Sequence, residues 1–124
     1  MELTETHLRY LLAIYDLGRT TPDVGAVEIA KALAVSKPSV TRMLGVLMDR
    51  GLLVRERYGK VYLTDTGFLL ARDFKRKVER LQGLIPRMEL ALTEDELLDA
   101  ACVLAAALPE HAFETARGRE APET

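Results

Sequence analysis

The chain has 124 residues, 17 Lys and Arg against 19 Asp and Glu, a net charge of −2 and a 48% hydrophobic composition, which fits one domain, or one small domain with a helical appendage. No apolar run reaches the roughly 18 residues a membrane span needs, and the acidic start "MELTETHLRY" lacks the basic-then-apolar order of a secretion signal. The single cysteine, Cys102, excludes an internal disulfide and points to a reducing, cytoplasmic setting.

The net charge conceals a strong asymmetry. Residues 1–35 carry 3 basic and 5 acidic side chains, residues 36–80 carry 11 and 5, and residues 81–124 carry 3 and 9. A basic middle between acidic ends suits a polyanionic partner, although a solvated charged face gives the same count.

In chain order, "LTETHLRYLLAIYDLGR" predicts a first helix with Leu8, Leu11, Leu12, Ile14 and Tyr15 on its apolar stripe and Thr4 or Thr6 as cap. Gly18 and "TTPDVG" end it. "AVEIAKALAV" predicts a short second helix with Val27, Ile29, Ala30 and Leu33 facing inward. After the three residues "AVS" comes a third helix, "SKPSVTRMLGVLMDRGLL". Ser36 suits its N-cap, and Pro38 is tolerated because first-turn N–H groups have no intrahelical acceptor. Gly51 suits a left-handed end. "LLVRERYGKVYLT" alternates about "YGK", as two strands of a hairpin do. "TDTGFLLARDFKRKVERLQGLI" predicts a long helix interrupted at Pro86, and "LTEDELLDAACVLAAAL" a last one with Thr93 and Glu96 as a capping box and Pro109 as its end. "EHAFETARG" adds a turn or two, and residues 118–124 read as a disordered tail.

The predicted fold class is therefore mainly α: a winged helix-turn-helix with a two-stranded β wing over residues 1–72, then a helical dimerisation region over residues 73–117. A recognition helix meets base edges with its first turns and packs its later turns on its own domain. "SKPSVTR" against "MLGVLM" has that division. Ser36, Lys37, Pro38, Ser39, Thr41 and Arg42 are the candidate DNA contacts of the helix. Small Ser and Thr side chains allow close approach, and Arg alone here can bond a guanine at two points. Arg55, Arg57, Tyr58 and Lys60 are the candidate contacts of the wing, with the backbone rather than the bases; as edge-strand charges they would serve only solubility.

"HLRYLLAIYDL", "VEIAKALAVSKPSVTRMLGVLMDRGLL" and "YGKVYLTDTGFLLA" together resemble the iron- and manganese-dependent repressors of the diphtheria-toxin-repressor family, over residues 6 to about 108. The size is similar to the short manganese transport regulators. The resemblance implies a homodimeric repressor whose post-wing helices form the dimer and whose divalent metal bridges them to the DNA-binding part. The ligand positions it implies fall at Arg9, Leu12, Val78, Gln82, Cys102, Ala105 and Ala106 in this sequence. Among these only Cys102 is a ligand type, and one thiol does not hold Mn²⁺ or Fe²⁺. No cofactor is expected; Mn or Fe would enter only through an atypical site using His7, Cys102 or His111. Arg9 places a fixed positive charge where the family puts a cation. Cys102, in an apolar helix without a cationic neighbour, reads as an inert buried thiol.

The last helix is apolar on nearly every side beyond Asp99, so a twofold partner is expected to cover Leu97, Leu98, Ala101, Leu104, Ala105 and Leu108. The alternative is that these residues finish the monomer core. The functional expectation is a sequence-specific DNA-binding transcriptional regulator, a repressor acting as a cytoplasmic homodimer on a pseudo-palindromic double-stranded operator without metal activation. The alternatives are a protein-interaction module for an acidic partner, or a repressor with a relocated metal or small-ligand site. An enzyme is not expected, since no nucleophile–base pair, phosphate-binding glycine loop or paired acidic site occurs at usable spacing.

Overall fold

The computed structural model describes residues 3–57 and 59–114. Tyr58 and the expected tail at 118–124 lie outside them. The order is α1 (Glu5–Gly18), α2 (Ala26–Leu33), α3 (Lys37–Asp49), β1 (Leu53–Arg55), β2 (Val61–Leu63), α4 (Asp65–Leu84), a 3-10 turn (Ile85–Met88) and α5 (Glu94–Ala107). It is the mainly helical winged helix-turn-helix the patterning predicts. Two compact units divide within α4, Met1–Lys75 and Arg76–Thr124.

In the first unit α1, α2 and α3 pack on one another, and α1 and α3 pack on the hairpin. Leu11, Ile14, Ile29, Val40, Leu44, Leu47, Leu52, Leu53 and Val61 form its core. The strands pair antiparallel with Leu53 opposite Leu63, Val54 opposite Tyr62 and Arg55 opposite Val61. A tie outside the ladder fixes the wing: the Val61 N–H donates to the Val24 carbonyl at 2.8 Å.

Two expected faces are corrected. Val27 is exposed, and Ala26 takes the inward position with Ile29. Positions 26, 29, 30 and 33 are spaced 3, 4 and 7 along the helix, so the stripe starts one residue earlier than the larger side chain implies. Val46 and Met48 are likewise exposed rather than part of the α3 core stripe, which is Val40, Leu44 and Leu47. Pro86 does not simply break the chain either; it is the second residue of the 3-10 turn, where its missing N–H is not needed.

Caps fix the helix ends. Thr4 and His7 form a reciprocal cap on α1: the His7 N–H donates to Thr4 Oγ1 at 3.2 Å, and the Thr4 N–H donates to His7 Nδ1 at 2.9 Å. Thr64 joins the start of α4 to the end of α3, its hydroxyl donating to the Gly51 carbonyl at 2.7 Å while accepting from the Gly67 N–H at 3.1 Å. Gly51 itself is left-handed, at φ 71°. A Cβ on Gly67 would lie 1.9 Å from the Leu52 carbonyl oxygen, so this position admits no side chain.

In the second unit Val78, Leu81, Ile85, Ala101, Cys102 and Ala105 are buried. Thr93 and Glu96 form the expected capping box of α5. Residues 110–114 are helical and are held by an ion pair between Lys77 and Glu110 and by Arg80, whose Nη1 donates to the Phe113 carbonyl at 3.2 Å.

Two stability predictions follow from these contacts. Gly67→Ala is expected to destabilise the protein by about 2 kcal/mol or more in urea unfolding, because backbone must move to admit the methyl. Nδ1 of His7 serves as an acceptor, and burial, then the Arg50 charge, holds its pKa below the ordinary 6.5. A depressed pKa means the unfolded chain binds the proton more readily, so this stability is present above pH 6.5 and fades as pH falls through the lower folded value. The effect is expected to be about 1 kcal/mol or less at this partly exposed cap. His7→Gln, which keeps an acceptor that does not titrate, should flatten that part of the stability–pH curve.

Candidate nucleic-acid interface

Ser36, just before α3, is extended at φ −76° and ψ 152°. The Ser39 N–H donates to its hydroxyl oxygen at 3.2 Å. The Ser36 hydroxyl in turn donates to Ser39 Oγ at 2.8 Å, and Arg42 Nη2 reaches the same oxygen at 3.4 Å. Ser36, Ser39 and Arg42 lie at three-residue steps, so they share one face over the first two turns. The adjoining face is buried in the core, with Val40, Leu44 and Leu47 each at 0% exposure.

Lys37, Pro38, Thr41 and Arg42 are exposed and Ser39 is half-buried. Pro38 falls in the first turn, as its missing N–H requires. The buried Tyr10 of α1 lies within reach of the Arg42 charge: burial raises the phenol pKa, and Arg42 opposes part of the rise.

The wing supplies the second group. Arg55 and Arg57 are exposed. A 390 Å³ cleft has Lys37 of the helix and Arg55 of the wing on its walls, which puts the two basic groups on one face. A second cleft, 590 Å³, has Met48 beside Arg55 and Arg57. Met48 is thus a surface neighbour of the wing, which explains its absence from the core.

Lys60 differs from the other wing cations. Its ammonium lies 2.8 Å from Asp23 Oδ1, and this hydrogen bond, with the Asp23 charge, raises its pKa. The Val24–Val61 tie brings the "TPDVG" loop against the wing, and Asp23 comes with it. Sequence reasoning missed Asp23, Val24 and Tyr10 as parts of this region. The proline before Asp23 marked a turn, but nothing local marked what the turn would touch. Across the hairpin Tyr62 hydrogen-bonds Glu56, which raises the Tyr62 pKa.

The expected dimer residues are divided by the fold. Ala101 and Ala105 are 0% and 5% exposed within the chain, so they finish its own core and offer no surface to a partner. Leu97, Leu98, Leu104 and Leu108 are half-buried.

The ligand positions implied by the family resemblance do not fit a metal. Arg9 pairs with Glu5 at 3.6 Å. Val78, Cys102 and Ala105 are buried, a hydrocarbon setting with one sulfur. His7 spends its Nδ1 on the α1 cap, and His111 is exposed. Among the described residues no three His, Cys, Asp or Glu side chains converge as a ligand set, while a transition-metal site needs three or four donors within bonding distance.

The fold and this surface define a winged helix-turn-helix domain. Residues 2–61 match the family described as iron dependent repressor, N-terminal DNA binding domain. The chain is similar to the manganese regulator SloR, at 26% identity and a TM-score of 0.72, over 89% of this chain and 50% of that one. It is similar to ScaR with bound Zn²⁺ at 32% identity and a TM-score of 0.67, over 88% and 50%. It is also similar to the metal-dependent transcriptional regulator MtsR at 25% identity and a TM-score of 0.74, over 88% and 50%. The chain spans about half the length of these proteins. Its winged-helix part is thus similar to the N-terminal DNA-binding domain of the iron-dependent repressors, and the matched proteins are described as manganese or metal-dependent regulators.

The cap makes a measurable contribution. Ser36→Ala should lower unfolding stability by about 1 kcal/mol. Because Ser39 is then left with one fewer partner, the double change Ser36→Ala/Ser39→Ala should cost less than the sum of the single changes.

Proposed function

We propose that this chain is a sequence-specific DNA-binding transcriptional regulator, a repressor that works as a cytoplasmic homodimer on a pseudo-palindromic operator. The observation that carries the reading is the Ser36–Ser39–Arg42 turn: polar, basic and outward on a helix whose other face is locked in the core. Ser36, Lys37, Pro38, Ser39, Thr41 and Arg42 enter the major groove. Arg42 reads a base edge, with Ser39 limiting its conformations in advance. Arg55 and Arg57, with Tyr58, hold the adjacent backbone. Lys60 takes part by exchanging Asp23 for a phosphate.

In this reading residues 1–72 bind DNA and residues 73–117 associate two chains. Leu97, Leu98, Leu104 and Leu108 contribute to the association surface. Support comes from the apolar surface that the second unit leaves open: Met88, Leu90 and Val103 are 62%, 56% and 54% exposed. Two copies double the phosphate contacts one domain makes.

The repressor requires no metal. SloR and MtsR are described as manganese and metal-dependent regulators, but the family's ligand positions hold Arg9, Leu12, Val78, Gln82, Ala105 and Ala106 here, with Cys102 alone able to ligate.

Selection of bound fragments from genomic DNA in EDTA, followed by titration of the selected duplex, tests the proposal. Sequence-specific binding that weakens steeply with salt is expected without added metal. Arg42→Ala should cost about 1–3 kcal/mol on the selected site and relax preference at one base pair. Binding that appears only after Mn²⁺, Fe²⁺ or Zn²⁺ is added would overturn metal independence. Binding without sequence preference would favour a module for an acidic protein.

A further inference from the structure

A groove of 660 Å³, lined by none of residues 36–42, opens in the first unit between the end of α1, the 19–24 loop, β2 and the start of α4. Its size is that of a site for a small organic molecule. Ile14, Tyr15, Val24, Val61, Leu63 and Phe68 give it apolar and aromatic walls. The Tyr15 and Phe68 rings lie 5.3 Å apart, tilted by 48°. Phe68 remains 43% exposed, although it is a large side chain beside a well-packed core.

The rim is cationic. Arg19 and Lys60 line it and no acidic side chain does. The Arg19 guanidinium lies 5.8 Å from the Tyr15 centroid, and among the described residues no carboxylate pairs with it. Arg72 lies 5.8 Å from the Phe68 centroid and Lys75 6.0 Å from that of Tyr15. The nearby carboxylates are already engaged, Asp16 with Lys75 at 2.6 Å and Asp23 with Lys60 at 2.8 Å. Arg19 is therefore a planar cation at the mouth of an aromatic slot, with no carboxylate partner among the described residues.

We propose that this groove binds a small aromatic carboxylate. The ring enters between the aromatic pair and Val24 and Val61, and the carboxylate meets the Arg19 guanidinium, whose fork matches two oxygens. A neutral ring gains only the apolar part of this contact, and a polyanion lacks the ring. Because β2 is one wall, occupancy restrains the wing against the 19–24 loop. That consequence rests on the DNA-binding reading; ligand binding itself does not.

The test is an amide ¹H–¹⁵N titration of the whole chain, without DNA, using 2-naphthoate and the matched uncharged 2-naphthalenemethanol. Saturable shifts are expected for naphthoate at Gly18, Thr21, Val24, Val61 and Phe68, with a Kd on the order of 1 mM or tighter. Arg19→Ala should weaken naphthoate by about tenfold and leave the alcohol unchanged. Phe68→Ala should weaken both. Both positions are exposed, and the dispersion of the same spectra verifies that each variant is folded. Absence of saturation, equal affinity for the two probes, or shifts centred outside the groove would overturn the proposal. Groove shifts that follow protein concentration without a probe would also overturn it, by marking a second copy as the occupant.

Discussion

Val40, Leu44 and Leu47 hold α3 by one stripe, and every outward property of this surface is set by that burial. A helix anchored at positions 40, 44 and 47 has no rotational freedom left. Arg42 then faces away from the core with Ser36 exposed and Ser39 half-buried at its flank, and the cap bond to Ser36 fixes where the first turn begins. The burial of three aliphatic side chains thus determines which polar ones are presented. Thr64 and Gly67 extend the constraint by seating the start of α4 on the end of α3, where Gly67 leaves room only for backbone.

The wing is held by different means. Two three-residue strands are marginal by themselves. The Val61–Val24 bond and the Lys60–Asp23 pair attach them to the loop before α2. The loop therefore serves two surfaces at once: it braces the wing that accompanies α3, and it forms one side of the groove rimmed by Arg19. A surface ion pair adds little stability, but it decides which wing cations are engaged and which are open. Arg55 and Arg57 project from the same hairpin whose Lys60 is already occupied.

Residue chemistry made much of this legible. Ser36 before "KP", Gly51 after α3, and the Thr93–Glu96 box are caps whose roles depend on neighbours three or four residues away, so sequence reading reached them. The order of helices and hairpin was legible for the same reason. The phase of α2 was not, because in "AVEIAKAL" both Ala26 and Val27 can begin an apolar stripe and only the packed partner decides. Asp23 on Lys60 and Leu52 against Gly67 depend on the tertiary path of the chain, and no local spacing reveals them. Ala101 and Ala105 showed the reverse problem: small apolar residues suit a close helix contact either inside the chain or across a dimer, and the fold uses them inside.

Under the proposed function, the absence of ligand types at the positions implied by the resemblance leaves the cap, the core stripe and the wing tie to prepare the surface for DNA. The most direct measurement is an amide shift map of the whole chain in EDTA upon adding a duplex selected by the protein. The account predicts the largest shifts at residues 36–42 and 55–57, with the α5 amides little changed. Shifts concentrated in α4 and α5 while the Ser36–Arg42 turn stays unmoved would contradict it.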